Sequence, residues 1–183
     1  MDDPAFAQDM RESFHMELAR LNRMLGNDKL VIDRLRRTPP KRVVDIGCGQ
    51  GALLAAVRSA TGAHVLGVDL HGDPRKRYGV EILEADATVS KLPECDVAVS
   101  VLTMHHLTEN QIVALIRNVR RSAKRFLIVD LVRHPLPLAL FSVFVRPWID
   151  RLVYLDGMQS IRRAFTPQEL RALVVQGVSG TDA

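Results

Sequence analysis

The chain has 183 residues, 47% hydrophobic and 25% charged, with a formal net charge of +4. That length fits one domain with a real core, and the composition excludes disordered and fibrous classes. No run reaches the roughly 18 apolar residues that span a bilayer, so no stable membrane insertion is expected.

The N-terminal stretch, MDDPAFAQDMRES, is acidic and polar. It lacks the features of a secretory signal, and a cytoplasmic location is expected. Residues 6–37 read as helix with a break near Gly26-Asn27-Asp28. Phe6, Met10, Phe14, Leu18, Leu21 and Leu25 recur at steps of three and four, which is helical periodicity. Thr38-Pro39-Pro40 ends that segment.

Beyond Pro40 short apolar runs alternate with helical segments. Strands are predicted at Arg42–Ile46, His64–Val68, Glu81–Glu84, Asp96–Val101 and Arg125–Leu131, with helices at Ala52–Ala60 and Glu109–Ala123. Strands alternating with helices pair in parallel through right-handed crossovers. The expected fold is α/β: a Rossmann-like, doubly wound, mostly parallel sheet in three α/β/α layers. The divisions are a helical N-terminal lid (1–40), a core (41–134), an apolar insert (135–165) and a C-terminal helix and tail (166–183). The terminal GVSGTDA carries no strong strand pattern.

Between the first strand and its helix stands VVDIGCGQG, Val43 to Gly51. Glycine permits positive φ and close backbone approach, and free N–H groups at a helix start face the same place. Asp69 closes the next strand, where a carboxylate can accept both ribose hydroxyls of an adenosine. Asp86 follows the third strand, placed to receive an adenine amino group, with the Ala87 N–H offered to the ring. Cys48 reads as a small side chain fitted into a tight turn. It and Cys95 are far apart and in no metal-ligand spacing, so neither a disulfide framework nor a metal site is expected.

Together these motifs resemble the class I S-adenosylmethionine-dependent methyltransferases over roughly Arg42 to Leu170. VVDIGCGQG resembles the family's glycine motif, GVDL its ribose acid and EADA its adenine motif. DVAVSVLTMHHL resembles its fourth strand and following loop, and RFLIVDLVR its fifth strand. The resemblance implies S-adenosylmethionine as cofactor, with S-adenosylhomocysteine as product. It implies a cofactor site of Asp45, Gly47, Cys48, Gly49, Asp69, Leu70, Asp86, Ala87, Ser100 and Val101. It also implies seven strands, the last antiparallel, yet no final antiparallel pair is visible after Leu173-Val174-Val175. An uncovered sheet edge invites association, which leaves a homodimer open.

Gly47, Gly49 and Ala52 also satisfy the dinucleotide pattern G-x-G-x-x-G/A. Asp45 sits badly beside a pyrophosphate and well beside a sulfonium and an ammonium, so an NAD(P)-binding oxidoreductase is the runner-up. A catalytically silent protein of the same fold is the third reading.

Methyl transfer needs alignment and, for a hydroxyl acceptor, a base. His105 and His106 follow the fourth strand and supply titratable rings near neutrality. Methyltransferases of base amino groups carry an Asn/Asp/Ser-Pro-Pro-aromatic signature here, and this chain has none. The basic runs Arg34–Arg42, Arg117–Arg125 and Arg162-Arg163 read as solvated helix faces and ends. No nucleic acid is expected, and a small-molecule acceptor is. The insert Pro135 to Leu155 holds Phe141, Phe144, Trp148 and Tyr154. With Phe14 and Leu18 these are expected to line an apolar acceptor pocket.

Overall fold

The computed structural model describes residues 25–71 and 78–180. Phe14 and Leu18, and with them most of the expected lid, lie outside the described residues. Helix α1 spans Asn27–Arg37. Gly26 precedes it in the left-handed region at φ 77, so the break expected near Gly26 is a change of backbone hand. Strand β1 (Arg42–Ile46) leads to α2 (Ala52–Thr61), β2 (His64–Asp69), β3 (Glu81–Glu84) and β4 (Cys95–Val101). A single 3-10 turn, Met104–His106, then precedes α3 (Glu109–Ser122) and β5 (Ala123–Val129).

The five strands pair in the order β3-β2-β1-β4-β5, all in parallel. Parallel strands with helical crossovers are buried on both faces. Val31 and Leu35 of α1 and Val57 of α2 cover one face, over Val43, Val97 and Val99. Ile112, Leu115, Ile116 and Val119 of α3 cover the other, over Val44, Ile46 and Ala98. Each such fully buried aliphatic side chain contributes about 1.5–3 kcal/mol. Among the described residues no strand lies outside β5, so the antiparallel pair absent from the sequence pattern is absent from the sheet as well.

Strand β5 begins and ends two residues earlier than expected. Its ladder with β4 runs from Cys95↔Ala123 to Val101↔Val129. Asp130 then leaves the ladder because its carboxylate accepts the N–H groups of Met104 and Leu131.

The insert is helical but irregular. Helix α4 (Pro135–Leu140) runs into a π-turn at Phe141–Val145 and a 3-10 turn at Arg146–Trp148. Helix α5 (Arg151–Arg163) follows. Here Phe141, Val153 and Ile161 form a third apolar cluster. Phe141 sits against Gly157, where a Cβ would lie 2.5 Å from its Cζ. A glycine inside α5 costs about 1 kcal/mol against alanine, and what it provides is the seat for that ring. Helix α6 (Pro167–Ser179) starts from a Thr166–Glu169 capping box and packs on α3.

Candidate active site

The chain runs from β1 out to β3 on one side, then crosses back to β4 on the other. The crevice between the carboxyl ends of β1 and β4 is therefore the topological switch point, where such sheets bind ligands. Two loops meet there. The glycine loop leaves β1, and the segment Leu102–His106 leaves β4.

The glycine loop is tied on both sides. The Gly47 N–H donates to the Val68 carbonyl at 2.8 Å and the Gly51 N–H to the Cys48 carbonyl at 2.9 Å. The Gly49 N–H donates to Asp69 Oδ2 at 2.8 Å. The other oxygen of Asp69 accepts the His71 N–H at 2.9 Å. Gly47 has φ 72, and a Cβ there would stand 2.4 Å from Thr103 Oγ1. Only glycine lets the two loops touch. Thr103 Oγ1 and Ser100 Oγ both donate to the Ile46 carbonyl, which fastens the end of β4 to that of β1. Leu102 turns the chain out of β4 at φ 56. A branched residue in that region is strained, and such strain collects at functional sites.

Asp45 lies beneath the loop, flanked by Gly67 on β2 and Val99 on β4. It is 3% exposed, and its Oδ1 has no hydrogen-bond partner. Burial first, then Asp69 and Asp28, pushes its pKa from 3.8 up to about 8. A buried carboxyl with an unmet acceptor is costly. It fits a ligand that brings a positive charge and opposes one that brings a phosphate. Burial, aided by Asp45 and Asp69, pushes the Cys48 thiol well above its ordinary range. Cys48 is a packing residue here, filling the notch left by Gly67.

Asp86 Oδ1 accepts both the N–H and the hydroxyl of Thr88, which holds its carboxyl below the usual carboxylate range. Asn118 of α3 grips this loop by donating to the Ala87 carbonyl at 2.8 Å and to the Ser90 carbonyl. Leu70 is 58% exposed at the end of β2, beside the open side of the loop.

His105 and Asp130 form a buried pair, Nδ1 to Oδ1 at 2.6 Å. A carboxylate only accepts, so Nδ1 is the donor in this bond, and in the neutral imidazole that leaves the lone pair on Nε2. His106 packs beside it, its ring tilted by 43° and 4.1 Å away between centroids. Partial desolvation and then the His105 charge lower its pKa. The sequence reading missed Asp130, Asn118 and Thr103. Asp130 had a signal, an acid interrupting the apolar run Leu127 to Val132 at a strand's carboxyl end, the same signal that marked Asp69.

Of the four insert aromatics, two come together. Phe141 and Tyr154 stack with centroids 5.9 Å apart. Phe144 and Trp148 do not join them and stand 66% and 75% exposed. The basic run Arg117–Arg125 has structural partners: Arg120 donates to the Val178 carbonyl, Arg125 to the Thr38 carbonyl, and Lys124 pairs with Asp96. Among the described residues no group of three or more His, Cys, Asp or Glu side chains could hold a metal ion, and no helix is long and apolar enough to cross a membrane.

Residues 43–125 match the family model for a methyltransferase domain. No curated protein sequence matches the chain. Among solved structures, it is similar to a plantazolicin methyltransferase in complex with S-adenosylhomocysteine, with 20% identity and a TM-score of 0.68, over 94% of this chain and 69% of that one. It is similar to human N-acetylserotonin methyltransferase in complex with S-adenosylmethionine, with 16% identity and a TM-score of 0.63, over 90% of this chain and 48% of that one. A mitomycin 7-O-methyltransferase matches at 19% identity and a TM-score of 0.55, over 75% and 42%. The chain thus spans about half the length of the last two.

Proposed function

We propose that this chain, whose residues 43–125 match a methyltransferase-domain model and whose fold is that of solved methyltransferases, transfers the methyl group of S-adenosylmethionine to a hydroxyl of a small apolar or aromatic acceptor. The observation that carries the reading is Asp45, a buried acid with an unmet acceptor under the glycine loop. S-adenosylmethionine has no phosphate and bears an ammonium and a sulfonium, so its positive end answers that acid. Asp69 receives the ribose hydroxyls. The loop of Asp86 and Ala87, held by Asn118, receives the adenine. Gly47 to Gly49, Ser100 and Val101 line the methionine part.

When bound, the cofactor supplies an electrophilic methyl carbon. The chain's residues align the acceptor and remove its proton. Alignment alone can lower a barrier by ~7–11 kcal/mol, and a positioned base adds about 10²–10⁴-fold. His105 is the base. Its Nε2 takes the hydroxyl proton, and Asp130 holds the tautomer and stabilises the imidazolium, as the carboxylate of a catalytic triad does. The acceptor lies against Phe141 and Tyr154. Support comes from the packing of the Met104–His106 turn on α5, which puts the base loop beside the insert's apolar cluster. The solved relatives named above act on plantazolicin, N-acetylserotonin and mitomycin, which is in keeping with a small organic acceptor.

Calorimetric titration with S-adenosylhomocysteine and with NAD tests the cofactor. Binding of S-adenosylhomocysteine alone is the expected result, and binding of NAD alone would reject the reading. Turnover on a panel of phenolic and aliphatic hydroxylated acceptors tests the second half. Activity confined to small polar acceptors would overturn it.

A further inference from the structure

The segment from Pro135 to Trp148 is apolar on both of its faces. Leu138, Phe141 and Val145 turn inward to the cluster of Val153 and Ile161. On the opposite side Leu136, Leu140, Val143, Phe144 and Trp148 are all exposed. These five follow one another through α4, the π-turn and the 3-10 turn and make an exposed apolar stripe along the segment. A helical segment that is apolar all round belongs in a core or against lipid, and this one is too short to span a bilayer.

The charge around the stripe is one-sided. From Val132 to Ile149 there is no acid at all. Over residues 132–163 the five arginines Arg133, Arg146, Arg151, Arg162 and Arg163 outnumber two aspartates, giving +3 of the chain's net +4. Arg133 pairs with Glu169 and Arg146 lies over the Tyr154 ring. Arg151, Arg162 and Arg163 are exposed. Trp, Phe and Leu beside a basic rim is the pattern of an interfacial helix, whose apolar face sinks to the level of the headgroups. Long arginine stems can then reach the phosphates.

We propose that this face docks on the surface of an anionic lipid bilayer, with Val143, Phe144 and Trp148 entering the interface. A second copy of the chain fits less well. A two-fold contact through this stripe would set the same arginines against each other. The proposal does not depend on methyl transfer, since it concerns the insert's outer face and its test reads no activity.

Trp148 is the chain's single tryptophan, so its emission reports this face alone. The full chain is mixed with phosphatidylcholine vesicles, with and without phosphatidylglycerol, and followed by emission and by co-sedimentation. A blue shift and pelleting are expected on the anionic vesicles and little on the neutral ones. Raising salt from about 0.1 M to 1 M, which shortens the screening length from ~10 Å to ~3 Å, should weaken pelleting. The double variant Val143→Glu and Phe144→Glu keeps the reporter and alters only exposed positions. It should bind about tenfold more weakly or worse. Absence of pelleting on anionic vesicles, or unchanged pelleting of the variant, overturns the proposal. So does a lipid-free blue shift that grows with protein concentration alongside a dimer in sedimentation velocity, which would assign the face to a second copy.

Discussion

Replacing Asp45 by Asn tests the proposed cofactor site at its most unusual residue. In the free protein this carboxyl has a pKa of about 8, so at pH 7 roughly nine molecules in ten hold it protonated. If the cofactor's ammonium pairs with it, binding must expel that proton. Calorimetry with S-adenosylhomocysteine in buffers of different ionisation enthalpy should then count close to one proton released per binding event at pH 7. Affinity should rise about tenfold per pH unit below 8, which is 1.36 kcal/mol per unit, and level off above it. Asp45→Asn should release no proton, lose the slope, and bind more weakly at pH 8 by about 1.5–3 kcal/mol, the range for a hydrogen bond to a charged group. The free protein carries an independent sign. Its folded state keeps the Asp45 proton up to about pH 8, while the unfolded chain gives it up near 3.8. The unfolded state binds fewer protons across that window, so stability falls as pH rises through it. Asp45→Asn should flatten that fall and leave the ligand-free variant the more stable protein at pH 8. An unchanged affinity and an unchanged slope in a folded variant would show that Asp45 does not meet the ligand's cation.

Five further substitutions address other contacts. His105→Ala should cut turnover about 10²–10⁴-fold while S-adenosylhomocysteine affinity persists; Asp130→Asn should lower kcat with KM little changed and alter the pH–rate profile, and full activity in either would remove the base assignment. Gly47→Ala combines a left-handed φ, about 1–2 kcal/mol, with overlap on Thr103, about 1–3 kcal/mol. Urea denaturation should show about 2–5 kcal/mol lost, and Thr103→Ala in the same chain should return only the overlap part. Asn118→Ala removes two hydrogen bonds from the loop bearing Asp86 and Ala87, each worth about 0.5–1.5 kcal/mol. Melting with and without S-adenosylhomocysteine should show lower stability and a smaller ligand-induced rise.

The regular parts of the core were legible because local signals agreed there. Arg42–Ile46 and Glu81–Glu84 carry paired aliphatic residues, Val43-Val44 and Ile82-Leu83, between turn segments, and the structure has strands at those same bounds. VVDIGCGQG was legible because glycines between a strand and a helix restrict what the backbone can do. The end of β5 was not, because Asp130 belongs to the apolar run by sequence and to the His105 loop by hydrogen bonding. The insert was harder. Its composition announced apolar contact but not the π-turn at Phe141–Val145, which sends Phe141 inward and leaves Phe144 and Trp148 in solvent. A period of 3.6 cannot foretell a local change of period. Asp45 lay between these cases. Its place before the turn marked it as anomalous for a dinucleotide, and only the folded structure shows it buried with Oδ1 unpartnered.

The insert's cluster around Phe141, Val153 and Ile161 shares no buried residue with the two clusters that hold the sheet. Changes to that cluster therefore cost the sheet little, since substitutions without shared partners add nearly independently. A lineage can remodel the insert while the sheet stays fixed. By the same logic, the segment from α4 through α5 is a natural cassette for grafting between proteins of this fold. A graft that kept Leu131, the Arg133–Phe165 backbone link and the face of α5 against the Met104–His106 turn would preserve the contacts described between cassette and frame.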